Sequence, residues 1–201
     1  MFTGIIQTLG ELVSVTEYDQ FRTHTVRIAP EYLTGLSLGA SIANNGCCLT
    51  VTKIDGDLVS FDLIQSTLGI TNLGLLQVGD KINIERAAKI GDEIGGHLMS
   101  GHILTFATLV ECVVTEHNTT LWLTLPPQYA HFLFEKGYIG LDGISLTIGQ
   151  VDSNRFCVHL IPETLARTNL GWRKVGDVIN IEIDPQTQVL VETVQRLLQK
   201  N

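Results

Sequence analysis

The sequence predicts an all-β protein made of two tandem six-stranded Greek-key barrels related by an internal repeat, plus a C-terminal α-helix. Three observations carry that expectation. Long blocks recur at one constant offset, the strand-forming runs are short and bounded by turn residues, and the one long amphipathic helical pattern stands at the end of the chain.

The repeat comes first, because it sets the domain count. Asn45-Gly46-Cys47-Cys48-Leu49-Thr50-Val51 aligns with Asp142-Gly143-Ile144-Ser145-Leu146-Thr147-Ile148, and the offset, 147 minus 50, is 97. Thr71-Asn72-Leu73-Gly74 matches Thr168-Asn169-Leu170-Gly171 at the same spacing. So does Val78-Gly79-Asp80-Lys81-Ile82-Asn83-Ile84-Glu85 with Val175-Gly176-Asp177-Val178-Ile179-Asn180-Ile181-Glu182, and Gly4 and Ile6 fall on Gly101 and Ile103. The chain therefore divides into an N-terminal barrel (1–96), a C-terminal barrel (97–184) and a helix (185–201), with Glu85–Gly96 as the connection and Gly95-Gly96 as a flexible entry to the second copy. One alternative is a duplicated scaffold with a silent copy. The shared blocks include turn and polar positions as well as core ones, which points instead to two ligand sites.

Within the copies, Leu49–Ile54 runs into the turn Asp55-Gly56-Asp57, Leu58–Leu63 follows, and Lys81–Glu85 closes the set. In the second copy Thr120–Leu125 precedes Pro126-Pro127, and Arg155–Leu160 follows Asp152-Ser153-Asn154. Such β-rich runs between turn signals, about six in about 90 residues, suit a small closed or Greek-key barrel. At the tail, Asp184 is an N-cap with Pro185 at the first helical position, and Leu190, Val191, Val194, Leu197 and Leu198 share one face. That stripe needs a partner, either a barrel or its counterparts in other subunits, and oligomerisation is the favoured reading.

With 44% hydrophobic and 17% charged residues among 201, the chain carries enough apolar material for packed cores. Its net charge of −8 and lack of Lys/Arg clusters exclude a nucleic-acid partner. Cys47, Cys48, Cys112 and Cys157 show neither CxxC spacing nor a disulfide-dense pattern and read as reduced thiols. The opening residues lack the basic and apolar regions of a signal peptide, and no apolar run approaches the roughly 20 residues of a membrane span. A cytoplasmic protein without membrane attachment is expected.

Because the copies are related, the positions where they differ are chemically informative. Cys48 faces Ser145, Asn45 faces Asp142, Ile5 faces His102, Phe2 faces Met99, Ser41 faces Tyr138, and Gln65 faces Pro162. Two related pockets with different polar groups suit a reaction in which one molecule donates and an identical molecule accepts. Cys48 is either a nucleophile or a small buried side chain. His97 and His102, five apart, would project to opposite faces of a strand, which argues against a shared metal; either is a general base or a hydrogen-bonded structural histidine. Asp142, before a glycine at a strand start, is a turn aspartate or a site carboxylate. Gly143-Ile144-Ser145 has no second glycine to make a nucleophile elbow, and no phosphate-cradling glycine motif is present.

Five blocks in order, Met1-Phe2-Thr3-Gly4-Ile5-Ile6, Asn45 to Val51, Gly95-Gly96-His97-Leu98-Met99-Ser100-Gly101-His102, Asp142 to Thr147, and Ile161-Pro162-Glu163-Thr164-Leu165, resemble the riboflavin synthase family along essentially the whole chain. The resemblance implies two lumazine-binding barrels, a C-terminal helix that joins a homotrimer, and dismutation of two 6,7-dimethyl-8-ribityllumazine molecules without metal or cofactor. It implies a catalytic set of Cys48, His102, Asp142, Ser145 and Ser41. It implies substrate contacts at Phe2, Gly4, Ile5, Ile6, Cys48, Leu49, Thr50, Asp62, Leu63, Ile64, Gln65, Ser66 and Thr67 in the first copy, and at His97, Gly101, His102, Ile103, Lys136, Ser145, Leu146, Thr147, Leu160, Ile161, Pro162, Glu163 and Thr164 in the second. In the family chemistry the acidic 7-methyl group of one lumazine loses a proton and the carbanion attacks the other ring. Lumazine and yellow fluorescent proteins of luminous bacteria share the fold without turnover, but this chain keeps the Gly-Gly-His, Ser-Gly-His and Cys48 features that those relatives have lost in part.

Overall fold

The computed structural model describes residues 1–199. Twelve strands form two closed antiparallel barrels of six. The first comprises β1 (Thr8–Glu17), β2 (Phe21–Arg27), β3 (Ser41–Asn44), β4 (Cys47–Asp55), β5 (Leu58–Ile64) and β6 (Lys81–Arg86), ordered β1-β2-β5-β4-β3-β6. The second comprises β7 (Thr105–Val114), β8 (Thr119–Thr124), β9 (Tyr138–Leu141), β10 (Ile144–Asp152), β11 (Arg155–Leu160) and β12 (Val178–Ile183), in the same cyclic order six strands on. A short helix follows the fifth strand of each, α1 (Gln65–Ile70) and α2 (Pro162–Arg167), and α3 (Pro185–Leu198) ends the chain.

Each barrel is filled from its own alternating positions. Leu12, Val26, Ile42, Val59, Phe61 and Ile82 fill the first, and Leu109, Leu123, Ile139, Phe156, Val158 and Ile179 the second. Register shifts after Leu12 and Leu109, and after Val51 and Ile148, bend β1, β7, β4 and β10 at equivalent places, as closure of so small a barrel requires.

Two tight turns meet between the barrels. Asn45-Gly46 joins β3 to β4 and Asp142-Gly143 joins β9 to β10, all four with positive φ (44°, 79°, 46° and 84°), the backbone of a two-residue type I′ hairpin. They pack back to back so closely that a Cβ on Gly46 would lie 2.5 Å from the amide nitrogen of Gly143. Around them lies a buried amide network with the symmetry of the repeat. The Asn72 amide donates to Asn180 Oδ1 (2.6 Å), and the Asn169 amide to Asn83 Oδ1 (2.8 Å). Asn83 Nδ2 donates to the Asp142 carbonyl and Asn180 Nδ2 to the Asn45 carbonyl, both at 2.9 Å. Each bond crosses from one barrel to the other.

One charge breaks the symmetry. Asp142 has no exposed surface, and its oxygens accept from Asn72 and Asn169 side chains, from the Asn180 amide and from Arg173 Nη2 at 2.6 Å. Arg173 stands where the first copy has Leu76, just as Asp142 stands where it has Asn45, so the charge and its countercharge occur together. Removing one member of a buried pair strands the other.

The tail helix is capped as expected, with Asp184 Oδ2 accepting from the Thr187 amide at 2.9 Å. Its apolar stripe divides. Val191 packs on the second barrel, while Val189, Leu190, Val194, Leu197 and Leu198 are exposed.

Asp142→Ala should destabilise the protein by about 3–5 kcal/mol, the usual cost of breaking a buried pair. Asp142→Asn combined with Arg173→Leu, which copies the Asn45/Leu76 arrangement, should recover most of that loss. Urea unfolding of the single and double variants decides this; strictly additive effects would refute the coupling.

Candidate active site

Strand pairing places the candidate residues on the outer face of each barrel. In β3 and β4, Ser41 lies opposite Thr50 and Ala43 opposite Cys48, and this face alternates with the core pair Ile42 and Leu49. In β9 and β10, Tyr138 likewise lies opposite Thr147, and Gly140 opposite Ser145. Leu49, Leu63 and Leu160 point into the barrels, so these three expected ligand contacts can act only through their backbone. Cys47 also turns inward; burial, with Cys48 and Glu182 nearby, pushes its thiol up to about 12, which leaves no thiolate there.

The entry segments of the two copies are exchanged. Phe2 and Met99 pair with each other through two backbone bonds, and from that crossing each segment runs onto the opposite barrel. The Ser145 amide donates to the Gly4 carbonyl (2.8 Å), and the Cys48 amide to the Gly101 carbonyl (2.9 Å). Ile6 then packs on the core of the second barrel, and Ile103 on that of the first. Gly4 and Gly101 have φ of +76° and +81°, and a Cβ on either would run into Ser145 or Cys48. Only glycine permits so close an approach.

Two buried carboxylates hold the exchanged segments. Glu85 accepts from the Thr3 amide (2.6 Å), the Thr3 hydroxyl (2.8 Å) and the Gly4 amide (3.1 Å). Glu182 accepts equivalently from Ser100 and Gly101. Burial raises both carboxyls above the usual range, against these hydrogen bonds. Neither glutamate was among the expected site residues, although both belong to a repeated block; on an alternating strand they read as solvent-facing.

The second barrel carries a hollow of about 220 Å³ lined by Gly4, Ile5, Ile6, Ser145, Leu146, Glu163 and Thr164, with Ile144, Arg167 and Thr168 in addition to the expected set. Arg167 lies one turn after Glu163 on α2 and pairs with it, a spacing visible in the sequence. Ile161 and Pro162 sit at the start of α2, and Thr147 is exposed one pair along from Ser145. Lys136 is exposed in the turn before β9, outside that lining. On the first barrel Cys48, Thr50, Asp62, Ile64, Gln65, Ser66 and Thr67 occupy the equivalent places beside Gly101, His102 and Ile103. Asp62 accepts from Thr23 Oγ1 at 2.6 Å.

Three expectations need correction. Asp142 is enclosed between the barrels with both oxygens engaged, so it shapes the turn and does not line the hollow of the second barrel. His97 and His102 do not share a strand, since the segment around them is irregular apart from the single bridge at Met99. His102 is exposed, whereas His97 is buried with Nδ1 2.6 Å from Ser145 Oγ. Phe2 is buried with Ala43 and Met99, and Cys48 packs on that cluster, so Phe2 stands behind Cys48 rather than on an open surface.

This geometry defines a class: a duplicated-barrel protein in which each copy's entry segment is bonded onto the other copy's barrel. The lumazine binding domain family model matches residues 3–87 and again 100–184. A riboflavin synthase of Escherichia coli (strain K12) is 58% identical over 199 residues, covering 98% of this chain and 93% of that protein. One from Buchnera aphidicola subsp. Schizaphis graminum is 44% identical over 202 residues, covering 100% and 97%. Crystal structures of LumP complexed with 6,7-dimethyl-8-(1'-D-ribityl) lumazine and with riboflavin superpose with TM-scores of 0.83 and 0.84 at 27% and 28% identity, each covering 91% of this chain and 99% of the other. The chain belongs to the riboflavin synthase family of lumazine-binding proteins.

If the entry segments complete opposite sites, Gly4→Ala should weaken ligand binding at the second barrel by roughly 10-fold or more, the effect of a strain of about 1.4 kcal/mol or above. Gly101→Ala should do the same at the first. Titration with 6,7-dimethyl-8-ribityllumazine should lose one class of site in each variant. Loss of both classes in either would contradict the separate assignment.

Proposed function

We propose that this protein catalyses the dismutation of two 6,7-dimethyl-8-ribityllumazine molecules into riboflavin and 5-amino-6-(D-ribitylamino)uracil. One observation carries the reading: the same scaffold occurs twice, with Cys48 on one barrel at the place where Ser145, backed by His97, lines the hollow of the other. Identical ligands in unlike surroundings can take unlike roles, one giving a carbon fragment and one accepting it. The heterocycle delocalises the charge, so the barrels supply position, and their polar groups move protons.

A homotrimer completes the proposal. The exposed apolar face of α3 supports it, because Val189, Leu190, Val194, Leu197 and Leu198 lie on a helix already fixed to the second barrel through Val191. In such a ring the first barrel of one subunit would face the second barrel of its neighbour and bring two ligands together. Four free thiols suit the reducing cytoplasm, and no helix among the described residues is long and apolar enough to cross a membrane.

Purified protein given 6,7-dimethyl-8-ribityllumazine alone should generate riboflavin fluorescence; unchanged bound lumazine would mark an antenna protein instead. Cys48→Ser should lower turnover by roughly 10-fold or more with little change in ligand affinity, as expected for lost nucleophilic or acid–base help. Parallel loss of stability and binding with turnover per bound ligand unchanged would reduce Cys48 to a packing role.

Removal of residues 186–201 should give a folded monomer that binds lumazine and has lost most activity. Sedimentation of the truncated protein as an unaltered oligomer would refute the role of α3.

A further inference from the structure

We propose that Cys157 and His159, on the outer face of the second barrel, form a metal site for a thiophilic cation, Zn²⁺ or Cu⁺. The site stands apart from the hollow of that barrel, which neither residue lines.

Strand periodicity brings the two donors together. Phe156, Val158 and Leu160 of β11 fill the barrel, so Cys157 and His159 share its outer face two residues apart. The sulfur and Nε2 lie 3.9 Å from each other. An ion about 2.3 Å from sulfur and about 2.0–2.1 Å from nitrogen fits between them at a bond angle of about 125–130°, with water completing its coordination. A thiolate with an imidazole selects zinc or copper(I) over magnesium or calcium.

The surroundings orient both donors. Gly149, at the bulge of β10, leaves bare the spot that they face: a Cβ there would lie 2.8 Å from Cys157 Sγ and 2.9 Å from His159 Nε2. The Gln150 amide donates to the sulfur at 3.2 Å, which favours a thiolate. Thr120, opposite His159 on β8, has its Oγ1 3.0 Å from Nδ1 and accepts from Asn118 Nδ2 at 3.2 Å. With Nδ1–H donating to Thr120, the Nε2 lone pair is turned to the sulfur, the tautomer that a metal-bound histidine needs. Arg155, stacked over Trp122 beside the site, is paired with Glu111, which offsets its repulsion of a cation.

The repeat supplies an independent argument. Subtracting 97 maps Gly149, Cys157 and His159 onto Thr52, Ser60 and Asp62. In the first barrel Thr52 Oγ1 donates to the Ser60 carbonyl and Asp62 accepts from Thr23 Oγ1, so side chains and hydrogen bonds close that place. The second barrel departs at all three positions together, removing the side chain that would block the spot and setting two metal donors against it. A thiol–imidazole contact of 3.9 Å is a weak hydrogen bond and does not by itself account for three linked changes. On binding, the sulfur–metal bond forms, the thiol proton leaves to water, and nothing is oxidised or reduced.

Co²⁺ is the probe, because a thiolate-to-cobalt charge-transfer absorption reports sulfur ligation directly. Added to the full chain with its thiols reduced, Co²⁺ should produce that absorption at one equivalent, and Cys48→Ser and Cys112→Ser should keep it. Cys157→Ser and His159→Gln should each lose it. Thr120→Val, which leaves both donors in place, should weaken cobalt binding by roughly 10-fold or more. Should Cys157→Ser fail to fold by circular dichroism, the exposed His159→Gln and the Thr120→Val variant carry the test. Displacement of cobalt by Zn²⁺ would assign zinc, and displacement by Cu⁺ alone, without oxygen, copper(I). No charge-transfer absorption in the wild type, its persistence at unchanged affinity in His159→Gln, its loss in Cys48→Ser, or displacement by neither cation would overturn the site.

Discussion

The back-to-back contact of the Asn45-Gly46 and Asp142-Gly143 turns is the constraint on which the remaining architecture depends. Buried amides are costly unless paired, and here each finds its partner across the barrel interface, so the interface is geometrically specific rather than merely apolar. Asn83 and Asn180 lie in β6 and β12, and two residues further on the same faces carry Glu85 and Glu182. Those carboxylates grip the amides of the exchanged segments. The segments in turn set Gly4 against Ser145 and Gly101 against Cys48. Turn contact, amide network, glutamate and hollow thus form one continuous chain of positioning.

Duplication with small departures explains how one scaffold can treat identical ligands differently. The backbone geometry of the two sites is the same to the level of matching glycines and matching amide-to-carbonyl bonds. The chemistry differs at single side chains, a thiol against a hydroxyl with an imidazole behind it. Where a departure introduced a buried charge, at Asp142, a second departure supplied Arg173. An uncompensated carboxylate in that place would cost several kcal/mol, so the two differences are energetically one.

Much of the fold was legible because it rests on local periodicity. Short alternating runs between turn residues define strands, and the capped stripe after Asp184 defines a helix; both signals need only neighbours in sequence. The candidate site was legible where the repeat exposed it, at Cys48, Ser145, Gly4 and Gly101. It was illegible where burial came from the other barrel. Ile82-Asn83-Ile84-Glu85 alternates like a strand with one face in water, yet all four residues are buried, because the second copy covers Asn83 and the entry segment at Thr3-Gly4 covers Glu85. Asp142, open in the sequence between a turn aspartate and a site carboxylate and catalytic only by the resemblance, is likewise enclosed by groups from the other barrel.

The sequence by itself determined that there are two like barrels, where five of their twelve strands run, and that the tail is a helix with an apolar face left over. Only the tertiary structure decided that the entry segments cross, that Asp142 and five asparagines join the barrels, and that His97 stands behind Ser145 while His102 faces solvent. The physical reason is that side-chain alternation records which residues share a face, whereas the identity of what covers that face depends on contacts between residues 48 or more positions apart, to which no local pattern responds.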